Sequence, residues 1–190
     1  MSITNCNFTD ITAPSGGASL YLDLNCPGPQ LGVEALYCPT QVSISGSRFT
    51  NSNTTLGRGG AAYISAANTR VQDSFFTNNG AALSGGALMF DSAGVNTTLD
   101  VVNTVFSGNV AGNVVGPNPP CNVTTPTTQC NVENECGGAL RVLTSTIPVG
   151  GQRYWSGSVT LTVSDSQFVG NYNDQVNTAG AGQSVHSASG

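Results

Sequence analysis

Phe8, Phe49, Phe76, Phe106 and Phe168 stand in one recurring sequence context, and that recurrence limits what the chain can fold into more than any other feature. Five positions before the aromatic comes Ile3, Ile44, Val71, Val101 or Val163, and two positions before it Cys6, Ser47, Ser74, Thr104 or Ser166. Between them, three positions before the aromatic, stands a turn former: Asn5, Gly46, Asp73, Asn103 or Asp165. The seventh position back holds Met1, Val42, Thr69, Leu99 or Leu161. Downstream a small-residue step follows, as Gly16-Gly17-Ala18, Gly59-Gly60-Ala61, Gly85-Gly86-Ala87 and Gly137-Gly138-Ala139, and in degraded form as Gly180-Ala181-Gly182.

Self-similarity at a period of tens of residues decides the architecture before any residue-level function can be argued. The aromatics are spaced by 41, 27, 30 and 62 residues, so the two short spacings give the bare period and the two long ones contain inserted loops. Within a repeat the apolar positions alternate as in a strand, a turn former interrupts them, and a second short strand carries the aromatic. A third strand follows the glycines. Abundant β-branched residues and frequent glycine exclude helical repeats. Three short strands per repeat, with corners of Gly, Asn and Asp, describe a coil of a parallel β-helix rather than a sandwich. The expected fold is all-β, a single-stranded parallel β-solenoid of about five coils stacked at about 4.8 Å and therefore roughly 24 Å long. One domain is expected to occupy residues 1–190, with loop insertions at about 23–40, 110–135 and 144–158.

The steps Gly85-Gly86-Ala87-Leu88 and Gly137-Gly138-Ala139-Leu140 alternate along the chain with Phe76-Thr77-Asn78-Asn79, Phe106-Ser107-Gly108-Asn109 and Phe168-Val169-Gly170-Asn171. This alternation resembles the repeat of the chlamydial polymorphic outer membrane proteins, whose signatures are a Gly-Gly-Ala-(Ile/Leu/Val) step and a Phe-x-x-Asn step. Gly16-Gly17-Ala18-Ser19 and Gly59-Gly60-Ala61-Ala62 match less well, and Phe49 and Phe8 lack the asparagine at the expected place. The resemblance implies a right-handed parallel β-helix displayed outside a cell, acting in adhesion or as a surface scaffold. Similar repeats occur in surface and matrix proteins of algae and other microbial eukaryotes.

Composition narrows the partners. Charged residues make up only 8%, lysine is absent, and the five positive residues are Arg48, Arg58, Arg70, Arg141 and Arg153. A chain of net charge −5 carries no electrostatic footprint for nucleic acid or anionic membranes. No apolar run approaches the length of a membrane-spanning helix. Six cysteines in a nearly uncharged chain suggest disulfides in an oxidising compartment, hence an extracellular or cell-surface location. Cys26 and Cys38 flank one loop and are the expected pair; Cys121, Cys130 and Cys136 crowd another, leaving Cys6 unassigned. N-glycosylation sequons begin at Asn7, Asn53, Asn96 and Asn122, the last three in expected turns or loops. Covalent glycans are thus among the expected partners, and no cofactor is.

The insertions carry their own signals. Pro27, Pro29 and Pro39 bar a strand from the first, and Pro117-Asn118-Pro119-Pro120 with Thr124-Thr125-Pro126-Thr127-Thr128 deprive the second of apolar burial. The third holds Tyr154 and the single tryptophan Trp155, a pair that either stacks on a sugar ring or covers the coil below. At the ends, Gln183 to Gly190 reads as the strand after the glycine step, and Met1 begins the strand that the repeat order would place next. Neither end shows a capping helix. The expectation is one segment of an end-to-end stack, either identical subunits joined head to tail or consecutive modules of a longer chain.

Catalysis is weighed against this. Polysaccharide lyases and hydrolases built on β-helices cluster carboxylates on adjacent coils. Here Asp73 and Asp165 share a column, but Asn103 intervenes, and turn duty explains both. His186 is the single histidine and supports no Ser-His-Asp arrangement. Glu133 and Glu135 beside Cys136 read as an exposed acidic turn rather than a calcium-loop fragment. The column Asn79, Asn109 and Asn171 reads as stacked amides at a left-handed corner. The function expected is therefore that of an extracellular structural or adhesive scaffold without catalytic residues or metal. The alternatives are a carbohydrate-active β-helix enzyme and a monomeric glycan-binding module using Tyr154 and Trp155.

Overall fold

The computed structural model describes residues 1–24, 40–112, 137–144, 146–149, 153–156, 158–173 and 185–189. The described residues are all-β, with no helix among them. Four stacks of parallel strands hold all but two of the described strands. The first sheet runs β1 (Ser2–Thr4), β5 (Gln41–Ser45), β9 (Asn68–Gln72), β13 (Thr97–Val102), β19 (Val159–Ser164). The second runs β2 (Asn7–Thr9), β6 (Arg48–Thr50), β10 (Phe75–Thr77), β14 (Val105–Ser107), β20 (Gln167–Val169). The third is built of two-residue strands: β3 (Thr12–Ala13), β7 (Asn53–Thr54), β11 (Gly80–Ala81), β15 (Val110–Ala111), β21 (Tyr172–Asn173). The fourth runs β4 (Leu20–Asp23), β8 (Ala62–Ser65), β12 (Leu88–Asp91), β16 (Leu140–Thr144), β22 (Val185–Ser189). Chain order thus visits the four sheets in turn and then starts again one step along the stack, which is the arrangement of a β-solenoid.

The repeat therefore has four strands, not the three expected. The extra strand is the two-residue one in the third sheet, whose members Thr12-Ala13, Asn53-Thr54 and Gly80-Ala81 show no apolar alternation. Two of the expected insertions hold strand residues. Val110 and Ala111 belong to β15, inside the stack rather than in a loop. Within 144–158, β17 (Thr146–Val149) and β18 (Arg153–Ser156) pair as an antiparallel hairpin.

Corners are made by residues that tolerate positive φ. Before the aromatic strand, Asn5, Gly46, Asp73, Asn103 and Asp165 all lie at φ between 45° and 59°. After it, Asp10, Asn51, Asn78, Gly108 and Gly170 lie between 54° and 64°. Gly fills these columns because it lacks the Cβ that crowds the following carbonyl in this conformation, and Asn and Asp because their short polar side chains can offset that contact by local hydrogen bonding. The asparagines Asn79, Asn109 and Asn171 do not share it: the left-handed residue is the one before each of them.

The glycine step turns the chain into the fourth sheet. Gly59, Gly85 and Gly137 take φ of 68°, 64° and 84°, and a Cβ on the next glycine would strike the neighbouring strand. On Gly60 it would lie 2.0 Å from the Gly86 carbonyl oxygen, and on Gly86 2.0 Å from that of Gly138. In the first repeat the register is offset by one from the expected match. Leu20 pairs with Ala62, so Gly17-Ala18-Ser19, not Gly16-Gly17-Ala18, lies alongside Gly59-Gly60-Ala61.

The inward columns form one apolar core running through the sheets. Ile3, Ile44, Val71 and Val101 align in the first sheet, and Leu88, Phe90, Leu140 and Val142 face inward in the fourth. The phenylalanines pair in register and stack face to face, with centroids 4.8, 4.6, 4.9 and 4.9 Å apart from Phe8 to Phe168. Phe49, Phe76 and Phe106 are fully buried, whereas Phe8 and Phe168 at the two ends of the column are half-buried.

Candidate assembly face and aromatic groove

Two polar ladders join the layers, and both have a direction. In the first, the hydroxyl two positions before the aromatic closes its own corner. Ser47, Ser74, Thr104 and Ser166 donate to the carbonyls of Ser45, Gln72, Val102 and Ser164 at 2.7 to 3.0 Å. Three of these oxygens also accept a backbone N–H from the layer before: Cys6 to Ser47 at 3.2 Å, Ser47 to Ser74 at 3.2 Å, and Thr104 to Ser166 at 3.1 Å. Cys6 stands in this column as a thiol, donating to the Thr4 carbonyl at 3.4 Å.

The second ladder is built of buried carboxamides. Asn79, Asn109 and Asn171 each reach back to the preceding layer, where Nδ2 donates to the carbonyl of Phe49, Phe76 or Phe106 at 2.9 to 3.0 Å. Each Oδ1 accepts the backbone N–H at the same position of that layer, from Ser52, Asn79 or Asn109 at 2.9 to 3.0 Å. Lateral bonds of 2.9 and 2.8 Å tie the three amides together. Desolvated groups are thereby satisfied in a continuous chain, which makes each amide costly to remove. The ladder has no amide at its start, where Ile11 and Ser52 occupy the position.

At the other end it stops open. Among the described residues, no acceptor meets the backbone N–H of Asn171, and no donor meets the Phe168 carbonyl. The strands β19, β20 and β21 are the outermost members of their sheets and pair on one side only. Val163, in the inward column of β19, is 40% exposed, and Leu161 and Phe168 are half-buried. The opposite face is less open: Ile3 and Leu20 are buried and Phe8 is half-buried.

A shallow groove of about 370 Å³ crosses the outside of the stack, lined by Ser15, Gly16, Tyr21, Gly57, Arg58, Tyr63 and Leu83. Tyr21 and Tyr63 pair in register on β4 and β8 and stack with centroids 5.1 Å apart. A Cβ on Gly16 would lie 2.4 Å from the Tyr21 ring, so glycine there lets the ring seat against the corner. Burial, then the carboxylates of Asp91 and Asp23 and the neighbouring Tyr21, push the Tyr63 phenol up to about 12. Tyr21 is raised as well, by burial and then Asp23, to which it is hydrogen-bonded. The next members of this column, Met89 and Arg141, are buried, so the groove ends at the tyrosine pair.

The other residues singled out in the sequence are placed as follows. Asn7 is exposed on β2, and its Oδ1 accepts from Thr9. Asn96 is exposed, its Oδ1 held by the Ser158 N–H and hydroxyl at 3.0 and 2.9 Å. Asn53 lies in strand β7 rather than in a loop, half-buried, with its Oδ1 2.8 Å from where a Gly80 Cβ would be. Asp73 accepts from Asn103 Nδ2 at 2.7 Å, so the two residues are partners at one corner rather than members of a carboxylate pair. Tyr154 and Trp155 are consecutive in β18, opposite Pro148 and Ile147, and His186 pairs in register with Arg141. Cys26, Cys38, Cys121, Cys130, Cys136, Asn122, Glu133, Glu135 and the Gly180-Ala181-Gly182 step lie outside the described residues. Among the described residues no group of three or more His, Cys, Asp or Glu could hold a metal ion. Sequence reasoning missed the tyrosine pair because its members are 42 residues apart and their column continues as Met89 and Arg141. Their offsets from the literal Gly-Gly-Ala steps differ by one, five residues after Gly16 against four after Gly59, so the sequence alone did not align them. Neither a protein family, nor a curated protein, nor a solved structure matches this chain.

Proposed function

We propose that the chain is an extracellular, glycosylated structural scaffold. In this reading it forms a right-handed parallel β-helix of about five coils, one per Phe-centred repeat. It serves as a segment of an end-to-end stack in a filament or long surface protein, with adhesion as its outward role and disulfides in its inserted loops. The observation that carries the reading is the open face at β19 to β21, where the core column ends in a 40% exposed Val163 and the amide ladder ends in backbone groups that have no partner among the described residues. Such an edge invites another strand layer. The resemblance to the polymorphic outer membrane repeat supports the same reading, since the Phe-x-x-Asn asparagines are the ladder amides. Electron microscopy and native mass measurement of the protein from its source test it. Particles longer than one unit are expected, and a discrete monomer of 19.3 kDa would overturn it.

A second reading, a glycan-binding module, is favoured by the groove rather than by Tyr154 and Trp155. One face of the Tyr21 ring meets Tyr63, and the side chain remains 56% exposed in a groove that Arg58 also lines. An aromatic platform flanked by a few polar groups suits the apolar face and hydroxyl rim of a sugar ring. Titration with neutral oligosaccharides should give binding that Tyr21→Ala abolishes. Equal binding by that variant would remove this reading.

A further inference from the structure

We infer that the open face at β19 to β21 is built to receive a non-identical repeat layer rather than the first layer of another copy of this chain. That incoming layer carries asparagine three positions after its aromatic and Ser or Thr two positions before it. The inference rests on the stacking reading and specifies its partner. At three of the four joints between layers the bonding is asymmetric: a layer offers a backbone N–H and a phenylalanine carbonyl forwards, and the following layer supplies the carboxamide that meets both, whereas at the first joint Ser52 stands in the amide's place. The last layer offers the Asn171 N–H and the Phe168 carbonyl in the same way. Were a second copy to stack there, the residue facing them would be Ile11, which has neither donor nor acceptor in its side chain. The hydroxyl ladder fails at the same joint. Thr104 donates its N–H to Ser166 Oγ, and the Ser166 N–H would meet Cys6, whose sulfur is a weak acceptor.

The hydroxyl column is thus interrupted in the first layer and the amide column in the first two, while both hold their polar residue in the last. A joint between identical copies would bury polar backbone groups unpaired, whereas a Phe-x-x-Asn layer would continue both ladders. Specificity against self-stacking then comes from missing hydrogen bonds rather than from repulsion.

The test restores the missing groups. The double variant Ile11→Asn/Cys6→Ser presents to the open face what the inference says it lacks, and Ile11→Ser/Cys6→Ser is the control without the amide. Self-association is read by sedimentation velocity across a concentration series, and thermal melts establish that the variants fold. Tightening of about tenfold or more in the asparagine variant, with the control close to the wild-type protein, is the expected result. If the wild-type protein associates and the asparagine variant is no tighter, the inference falls while stacking stands. If neither associates even at millimolar concentration, the stacking reading falls and takes the inference with it.

Discussion

A single buried carboxamide in this protein serves three neighbours, which makes the Phe-x-x-Asn asparagine a structural group despite its polarity. Asn109 Nδ2 donates to the Phe76 carbonyl and to Asn171 Oδ1, and its Oδ1 accepts from the Asn79 backbone N–H and Nδ2, with Asn109, Asn79 and Phe76 fully buried. Asn109→Ala leaves those partners unsatisfied and should cost about 2 to 5 kcal/mol in urea unfolding. Phe76→Ala should cost about 3 to 5 kcal/mol, because both adjacent rings lose a face. Asp73→Asn should change stability by less than about 0.5 kcal/mol, since the corner keeps an αL-tolerant residue with an Oδ1 for Asn103. A larger loss from that substitution than from Phe76→Ala would contradict the column assignment. The corner glycine Gly108 is a different case. At φ +64°, an added Cβ would stand 2.4 Å from Asn78 Oδ1, so Gly108→Ala meets both strain and a clash. It should cost about 1 to 3 kcal/mol. In a double-mutant cycle, Asn78→Ala should recover the part due to the clash and leave the part due to φ. At this scale the sequence was informative: the turn-former column and the Ser/Thr column are visible as identities at fixed offsets. The asparagine column was visible too, but not that its members are the buried neighbours of the left-handed residue, because Asn suits both roles.

At the scale of the strand, periodicity revealed what alternates and concealed what does not. Sheets one and four were legible because inward apolar residues recur at two-residue spacing around Ile44 and Ile64, and sheet two because its aromatic recurs in a fixed context. The third sheet was not, since two residues cannot display a period and Gly80-Ala81 carries no β-former. The offset glycine step in the first repeat was hidden for a related reason. Gly17, Ala18 and Ser19 are all small enough to pass beside the next strand, and the literal Gly-Gly-Ala one residue earlier drew the match. Outward faces were harder still, because neighbours there are set by register across tens of residues. Tyr21 and Tyr63 became a pair only once β4 was aligned with β8. That pair carries a pH prediction. The Tyr63 phenol is raised from 10.0 to about 12 in the folded protein, so the folded state prefers it neutral. The stability it contributes is complete below pH 10 and is lost as pH climbs from about 10 through about 12. Thermal melts across that window should show the wild-type protein losing more stability than Tyr63→Phe, which keeps the ring and removes the ionisable group. Parallel loss in both proteins would show that the phenol is not the titrating group.

For the whole molecule the governing fact is that its core is a column with two dissimilar ends. Interior layers are sealed by neighbours above and below, so residues such as Ile44, Val71 and Val101 lose all contact with water. The equivalent Val163 is 40% exposed only because nothing among the described residues lies beyond it. An added layer would bury it, and a charge placed there would have to be desolvated without a partner. Val163→Lys should therefore abolish growth at this face while leaving the melting temperature close to that of the parent, because a lysine at the edge can extend its amine into water. Leu56→Lys is the matched control: Leu56 is 72% exposed but lies between β7 and β8, on the side of the stack, where a charge obstructs no incoming strand. Sedimentation of both variants in the Ile11→Asn/Cys6→Ser background, where association is expected to be tightest, separates the two faces. The Leu56 variant should associate like its parent and the Val163 variant should sediment as a single unit. Equal association by the two would mean that chains meet side to side, and that the open column end plays no part in assembly.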